Sequence, residues 1–415
     1  MNFDVNYSKL ASGVRVLAVP ISGAGSVTAM VLVRTGPRNE TEKQAGISHI
    51  LEHMLMKATR KFPEPQDLAR AIDSLGAEHN AFTGKEFTGY YITAAAEKLS
   101  ASLAILSDCL NNSLLAPKHL ETERTVIVEE YRMFQDQPMR RAGEEFENLM
   151  YEGTSMGRFI EGTPETILAT TSEDLREYMR SWYCGGNVLI VVAGESEQVK
   201  KYTSEKMLDP YFGELPVGKI MPFKYPPRFG AAKNRHIEKK TEQAHFVMGV
   251  PGISMQDPRR YALHLAETIL GGSMSSRLFN ELREKRGIAY YVSADADFSY
   301  DIGHFSVRAG VRLDKLSEAM EAVRTEMTGL GRSITQEELA RAKDYLLGRL
   351  PLSLETSMDV AQYLGFRALI ADEIRQPEQV VESVAKVTID DVKNVLKAVV
   401  KESEIRTVVV GPASA

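Results

Sequence analysis

The chain has 415 residues, 43% of them apolar and 26% charged, which is too long for one ordinary domain and ordinary in balance for a soluble globular protein. A net charge of -6 and a pI near 5.9 argue against broad, sequence-independent binding to nucleic acid. The only two cysteines, Cys109 and Cys184, form no CxxC pair, which excludes a disulfide scaffold and a thiolate zinc knot.

The amino terminus carries neither the basic nor the apolar region of a signal peptide. No apolar run reaches the roughly 18 residues that a membrane span needs. A cytoplasmic setting with no membrane span is the default expectation.

The first element with chemistry in it is GISHILEHMLM, residues 46–56. Its spacing predicts a helix with His49, Glu52 and His53 on one face, at i, i+3 and i+4. Two imidazoles one turn apart can reach a single zinc ion, with the carboxylate between them aimed at the same volume. Ile50, Leu51, Met54 and Leu55 already supply the apolar face. Three ionisable groups clustered beside such a face are costly without a partner.

Residues 88–94 (TGYYITA) alternate as a half-buried strand and enter a helix at Lys98-Leu99-Ser100. The next helix, LETERTVIVEEYRMF (120–134), offers two candidates for a third ligand, Glu129 and Glu130. Glu130 falls among Val126, Ile127, Met133 and Phe134, whereas Glu129 is flanked by Thr125 and Arg132 as well as Val126 and Met133 and leans toward solvent. The stripe favours Glu130 without settling the choice. Glu123, two turns earlier on that face, could orient a ligand.

Residues 171–194 predict a Thr-capped helix of about three turns followed by an apolar strand ending at Gly194. Residues 388–411 repeat this without gaps, pairing Thr171 with Thr388, Asp174 with Asp391 and Gly194 with Gly411. Residues 303–309 (GHFSVRA), entering a helix at Lys315-Leu316-Ser317, likewise repeat 88–94. The expected fold class is therefore α+β, with two homologous halves, 1–213 and 232–415. Each is expected to be an antiparallel sheet covered by helices. Pro216, Pro222, Pro226 and Pro227 make 214–231 a linker, and two similar halves joined this way suggest a clamshell cleft. In the second half His264 and Glu267 fall where His49 and Glu52 fall in the first, but Thr268 replaces the second histidine, so one metal site per chain is expected.

The segments HILEHMLMKAT (49–59), LGAEHNAFTGKEFTGYY (75–91), ERTVIVEEYRM (123–133) and LGGSMSSRLFNELREKRGIAYYV (270–292) together resemble the pitrilysin and mitochondrial processing peptidase family of inverzincin metallopeptidases. The resemblance covers nearly the whole chain. It implies a zinc metalloendopeptidase that hydrolyses peptides or unfolded segments, with one zinc held by His49, His53 and Glu130, Glu52 as general base and Glu123 as the supporting acid. It also implies that an extended peptide adds as a strand along Asn80-Ala81-Phe82-Thr83, that Arg283 and Tyr290 act on substrate from the second half, and that Gly271 and Gly272 belong to a substrate-contacting loop. Read alone, those residues look like an edge strand, a solvated helix face and a helix-ending turn. A homodimer enclosing a chamber is the assembly the family suggests. Some relatives are non-catalytic scaffold subunits, and others supply a peptide-binding cleft to a separate active subunit. The complete zinc set, His49, Glu52, His53 and Glu130, speaks against the scaffold role, and cleavage of an unstructured peptide by the purified chain with zinc separates the enzyme from the peptide-binding partner.

Overall fold

The computed structural model describes residues 2–413. The chain forms two compact units, each built on one sheet.

The first sheet has six strands: β1 (Asn6–Lys9), β2 (Arg15–Ile21), β3 (Ser26–Val33), β4 (Glu78–Thr83), β5 (Thr88–Ala95) and β6 (Val188–Glu195), in the order β1-β2-β6-β3-β5-β4. The second has β7 (Asn234–Glu238), β8 (Gln243–Pro251), β9 (Ala289–Phe298), β10 (Gly303–Arg312) and β11 (Arg406–Gly411), in the order β7-β11-β8-β10-β9. With β1 set aside, the two orders superpose strand for strand. The directions match as well: β2 runs parallel to β6 as β7 does to β11, and every other neighbouring pair is antiparallel. The duplication read from 171–194 and 388–411 is thus a duplication of topology. Thr171 and Thr388 each accept the backbone N–H three residues on, at 3.2 Å, and open the helices Ser172–Trp182 and Ile389–Val399. The sheets are not purely antiparallel as expected. The last strand of each half returns beside the first through a long helical crossover, which allows the one parallel pair.

The strands β3 and β6 read as nearly continuous apolar runs because both faces are covered. Val27, Ala29, Val31 and Val33 join the main core of the first unit, together with Ile50, Leu51 and Met54 of the helix Ile47–Leu55. The alternate residues meet the helix Ser357–Ala371. Thr28 lies 2.9 Å from Ser357, oxygen to oxygen, and a Cβ at Gly365 would come within 2.9 Å of Leu32 and 3.0 Å of Val191. A larger residue there would make the Leu32 and Val191 side chains shift.

The helix Ser357–Ala371 lies late in the second half of the sequence, yet it belongs to the first unit. The helix Pro138–Met150 lies in the first half and belongs to the second unit, where Phe146, Leu149 and Met150 pack with Val247, Val408 and Val410. The two compact units differ from the expected contiguous stretches 1–213 and 232–415 at these two helices, and the chain also passes from one unit to the other between Tyr225 and Pro226. The two exchanged helices occupy equivalent places in the duplicated order, each the third helix after β5 or β10. The physical reason is pairing of apolar faces: each helix buries its stripe on the free face of the other half's sheet. Buried Arg15, from β2, fixes one end of the exchange. Its Nη1 donates to the carbonyl of Ala368 at 2.9 Å and to Asp372 at 3.2 Å, and its Nη2 donates to the carbonyl of Leu369 at 3.3 Å. In the second unit Arg235 does the corresponding work, donating to Glu145 at 2.8 Å.

Among the described residues no helix is long and apolar enough to cross a membrane. Both cysteines are unpaired and buried.

Candidate metal centre

The helix Ile47–Leu55 presents His49, Glu52 and His53 on the face predicted from their spacing. The helix Pro117–Gln135 brings Glu123 and Glu130 against them. One ligand atom each from His49, His53 and Glu130 lie within 4.8 Å of one another. Glu130 Oε2 is 3.8 Å from His49 Nε2 and 3.5 Å from His53 Nε2. No other such group of His, Cys, Asp or Glu side chains occurs among the described residues.

The donors fit zinc in kind, two imidazole nitrogens and one carboxylate oxygen. The surrounding charge fits as well. Burial lowers the His53 pKa, but the carboxylates of Glu123, Glu130 and Glu52 more than reverse this and hold it at about 9. A volume that stabilises positive charge this firmly suits a cation. His53 Nδ1 lies 3.2 Å from Glu123 Oε2, so a proton there donates to Glu123 and leaves Nε2 for a metal. Glu123 is itself held by Lys57, whose Nζ is 2.7 Å from Oε1. Burial raises the Glu123 pKa, but the hydrogen bonds from His53 and Lys57 bring it below the usual range, so the carboxylate stays ionised.

Glu129 is exposed together with Thr125 and Arg132, and the structure brings Glu130 to the histidines. The residue the stripe favoured is the one near the histidines, but part of the stripe does not face the core. Ile127 and Phe134 are buried as expected, but Val126 and Met133 are each 48% exposed, because the stripe is narrower than the run of apolar letters.

Glu52 is half-buried beside the pair. Burial raises its pKa, with a smaller push from Glu130, while the hydrogen bond from Thr83 and the charge of His53 pull it down. Thr83 Oγ1 donates to Glu52 Oε2 at 2.6 Å. The segment Asn80–Thr83 lies on β4, an edge strand, paired only with β5 among the described strands. Thr83, expected as a substrate contact, therefore also orients the predicted base through its hydroxyl.

Arg283 and Tyr290 lie in the second unit. Arg283 sits exposed in the wide helical turn Phe279–Lys285, and its Nη1 donates to the carbonyl of Tyr290 at 3.4 Å. Tyr290 is 74% exposed at the start of β9. His264 pairs with Glu267 at 2.8 Å, and the Thr268 hydroxyl donates to the carbonyl of His264 itself. The second half thus keeps the outline of a site without a second imidazole.

Sequence reasoning missed Glu40. The helix Ile47–Leu55 starts at Gly46, which has φ 90° and no side chain with which to cap the helix. Glu40 caps it from outside. Its Oε2 accepts from Gly46 N at 2.8 Å, and its Oε1 accepts from Ser48 N at 2.9 Å. No periodicity marks a cap that lies six to eight residues upstream. Burial pushes the Glu40 carboxyl up to about 7, against the downward pull of its bonds to Ser48 and Gly46 and of the Arg158 charge. The folded pKa lies above the unfolded one. The contribution is therefore full below about pH 4.5 and is lost as pH rises through 7. Its size is roughly 3 kcal/mol. Chemical denaturation between pH 4.5 and 7 should show the wild type losing that much relative to Glu40→Gln. Parallel stability curves for the two proteins would exclude this linkage.

Residues 15–164 match the family model described as Insulinase (Peptidase family M16). Residues 169–346 match the model described as Peptidase M16 inactive domain. An uncharacterized zinc protease of Streptomyces coelicolor is 33% identical over 95% of this chain and 87% of its own length. An uncharacterized zinc protease of Rickettsia felis is 31% identical over 99% of this chain and 98% of its own. Among solved structures, a protease from Helicobacter pylori superposes with a TM-score of 0.90 at 22% identity, covering 99% of this chain and all of that one, a likeness of fold.

Proposed function

The chain belongs to peptidase family M16, and on that footing we propose that it is a zinc-dependent endopeptidase acting on extended, unstructured peptide. The observation that carries the reading is the convergence of His49, His53 and Glu130 within 4.8 Å, with Glu52 beside them on the same helix face.

His49, His53 and Glu130 would hold one zinc ion per chain. Zinc there supplies Lewis acidity, lowering the pKa of a water molecule and polarising a peptide carbonyl. Glu52 takes the proton of the attacking water and later delivers it to the leaving amine nitrogen, as the C–O bond forms and the C–N bond breaks. Thr83 keeps the Glu52 carboxylate in one orientation for both transfers. The open edge of β4 offers main-chain donors and acceptors to any extended peptide, which suits a substrate chosen by conformation more than by side chain. Arg283 and Tyr290 enter the proposal through their match to the family's motif, as donors to a substrate carbonyl or a developing oxyanion. The complete set of His49, Glu52, His53 and Glu130 argues against a purely scaffolding role.

The purified chain should cut an unstructured peptide library internally, stop when a chelator removes its metal and resume when zinc is restored, as read by mass spectrometry. A zinc-loaded, folded chain that leaves every library peptide intact would overturn the proposal.

A further inference from the structure

We propose that Glu40 is a positioning residue for the two histidines, the anchor of a bracket, residues 36–46, buried from 36 to 40, that sets the metal helix against the β4–β5 turn; this rests on the metal reading above. Loops ordinarily run over the surface, where water satisfies their backbone. Here Gly36, Pro37, Arg38, Asn39 and Glu40 are all buried, and two of them are charged. Burying charge is costly unless partners are exact in geometry, so an arrangement of this kind marks a place where position matters more than stability.

Both ends of the bracket are tied. At the strand end, Arg38 N donates to the carbonyl of Lys85 at 3.0 Å, and the Arg38 guanidinium pairs with the Glu86 carboxylate. Gly36 packs so closely there that a Cβ would lie 2.3 Å from the carbonyl oxygen of Gly84. At the helix end, the Glu40 carboxylate spans two backbone N–H groups of the first turn, and each of its oxygens serves one of them. Arg158 donates to the Glu40 carbonyl, and Lys85 donates to the carbonyl of Arg158, which closes the circuit between the two ends. Behind the helix, the Tyr178 hydroxyl lies 2.9 Å from Ser48 Oγ and 2.7 Å from Thr35 Oγ1. Ser48 and His49 are adjacent, so a shift in the first turn moves the first histidine directly. The single helical turn from His49 to His53 carries that shift to the second.

A glutamine keeps one acceptor oxygen and places an amide N–H against the other backbone N–H. Glu40→Gln should therefore loosen the first turn without emptying the space. In the full-length chain, competition against a chromophoric chelator should show zinc affinity falling about tenfold or more for Glu40→Gln, and further for Glu40→Ala, within the 10- to 100-fold range of supporting residues around metal sites. Ser357→Ala serves as a comparator for general loss of stability. It removes a hydroxyl of the same unit whose partners are Ser26 and Thr28, and its zinc affinity should stay within about twofold of wild type. If Glu40→Ala does not fold, Glu40→Gln decides alone. Zinc affinity unchanged in folded Glu40→Gln, or weakened equally in Ser357→Ala, overturns the proposal. A wild type that binds zinc but cuts no peptide removes the peptidase reading and leaves this one standing, whereas a wild type that binds no zinc removes both.

Discussion

Glu52→Gln should lower peptide hydrolysis by roughly 100- to 10,000-fold, the range of a positioned general base, while the protein still binds zinc and peptide. Glutamine matches glutamate in shape and can still accept the hydrogen bond that Thr83 donates at 2.6 Å. It cannot take a proton from water. The proposed metal donors, His49, His53 and Glu130, are untouched by the change. The loss should therefore fall on kcat, with KM close to wild type, the pattern of a group that acts in the transition state. Steady-state kinetics together with metal content by elemental mass spectrometry check both halves of the expectation. A zinc-loaded variant that retains a tenth or more of wild-type turnover would remove Glu52 from the role of base.

Arg15→Met should destabilise the first unit by about 3–5 kcal/mol, the cost of removing one member of a buried polar set. The Arg15 side chain is 1% exposed, and methionine fills much of its volume. What disappears is the set of donors to the carbonyls of Ala368 and Leu369, the last turn of a helix whose orphan acceptors have no water to turn to. Asp372, with φ 52°, ends that helix and also loses its ion pair with Arg15, keeping the hydrogen bond from the Tyr7 hydroxyl at 3.2 Å. The urea midpoint should fall with an unchanged slope, because the surface exposed on unfolding stays the same. A midpoint within experimental error of wild type would mean that packing around Gly365 holds the helix without the guanidinium.

The sequence made the metal pair legible because its spacing is the helix period itself. His49, Glu52 and His53 need only that the segment be helical, and Ile50, Leu51, Met54 and Leu55 ensure it. The duplication was legible for a similar reason: Thr171 with Asp174 and Thr388 with Asp391 are local capping boxes, complete within four residues. Glu130 was separated from Glu129 by the position of Ile127 and Phe134, even though Val126 and Met133 turned out to face solvent. Glu40 was not legible. Its function depends on a loop that returns to the helix it precedes, and nothing in the spacing of Glu40, Gly46 and Ser48 encodes that return. The helices Pro138–Met150 and Ser357–Ala371 were not read from the sequence, and an apolar stripe states that a face will be buried and not which sheet will bury it.

That exchange of helices bears on the order in which the protein can be made. A ribosome delivers the candidate metal donors by Glu130 and the last strand of the first unit's sheet by Glu195. The sheet's second face stays bare until Ser357–Ala371 emerges, more than 150 residues later. Until then Leu32, Val191 and the Arg15 guanidinium have no cover. Contacts of such long sequence separation form late and leave apolar surface open in the meantime. The half that carries the candidate metal donors is therefore completed only after much of the second half has been made, so in the nascent chain those donors belong to a domain still missing one layer.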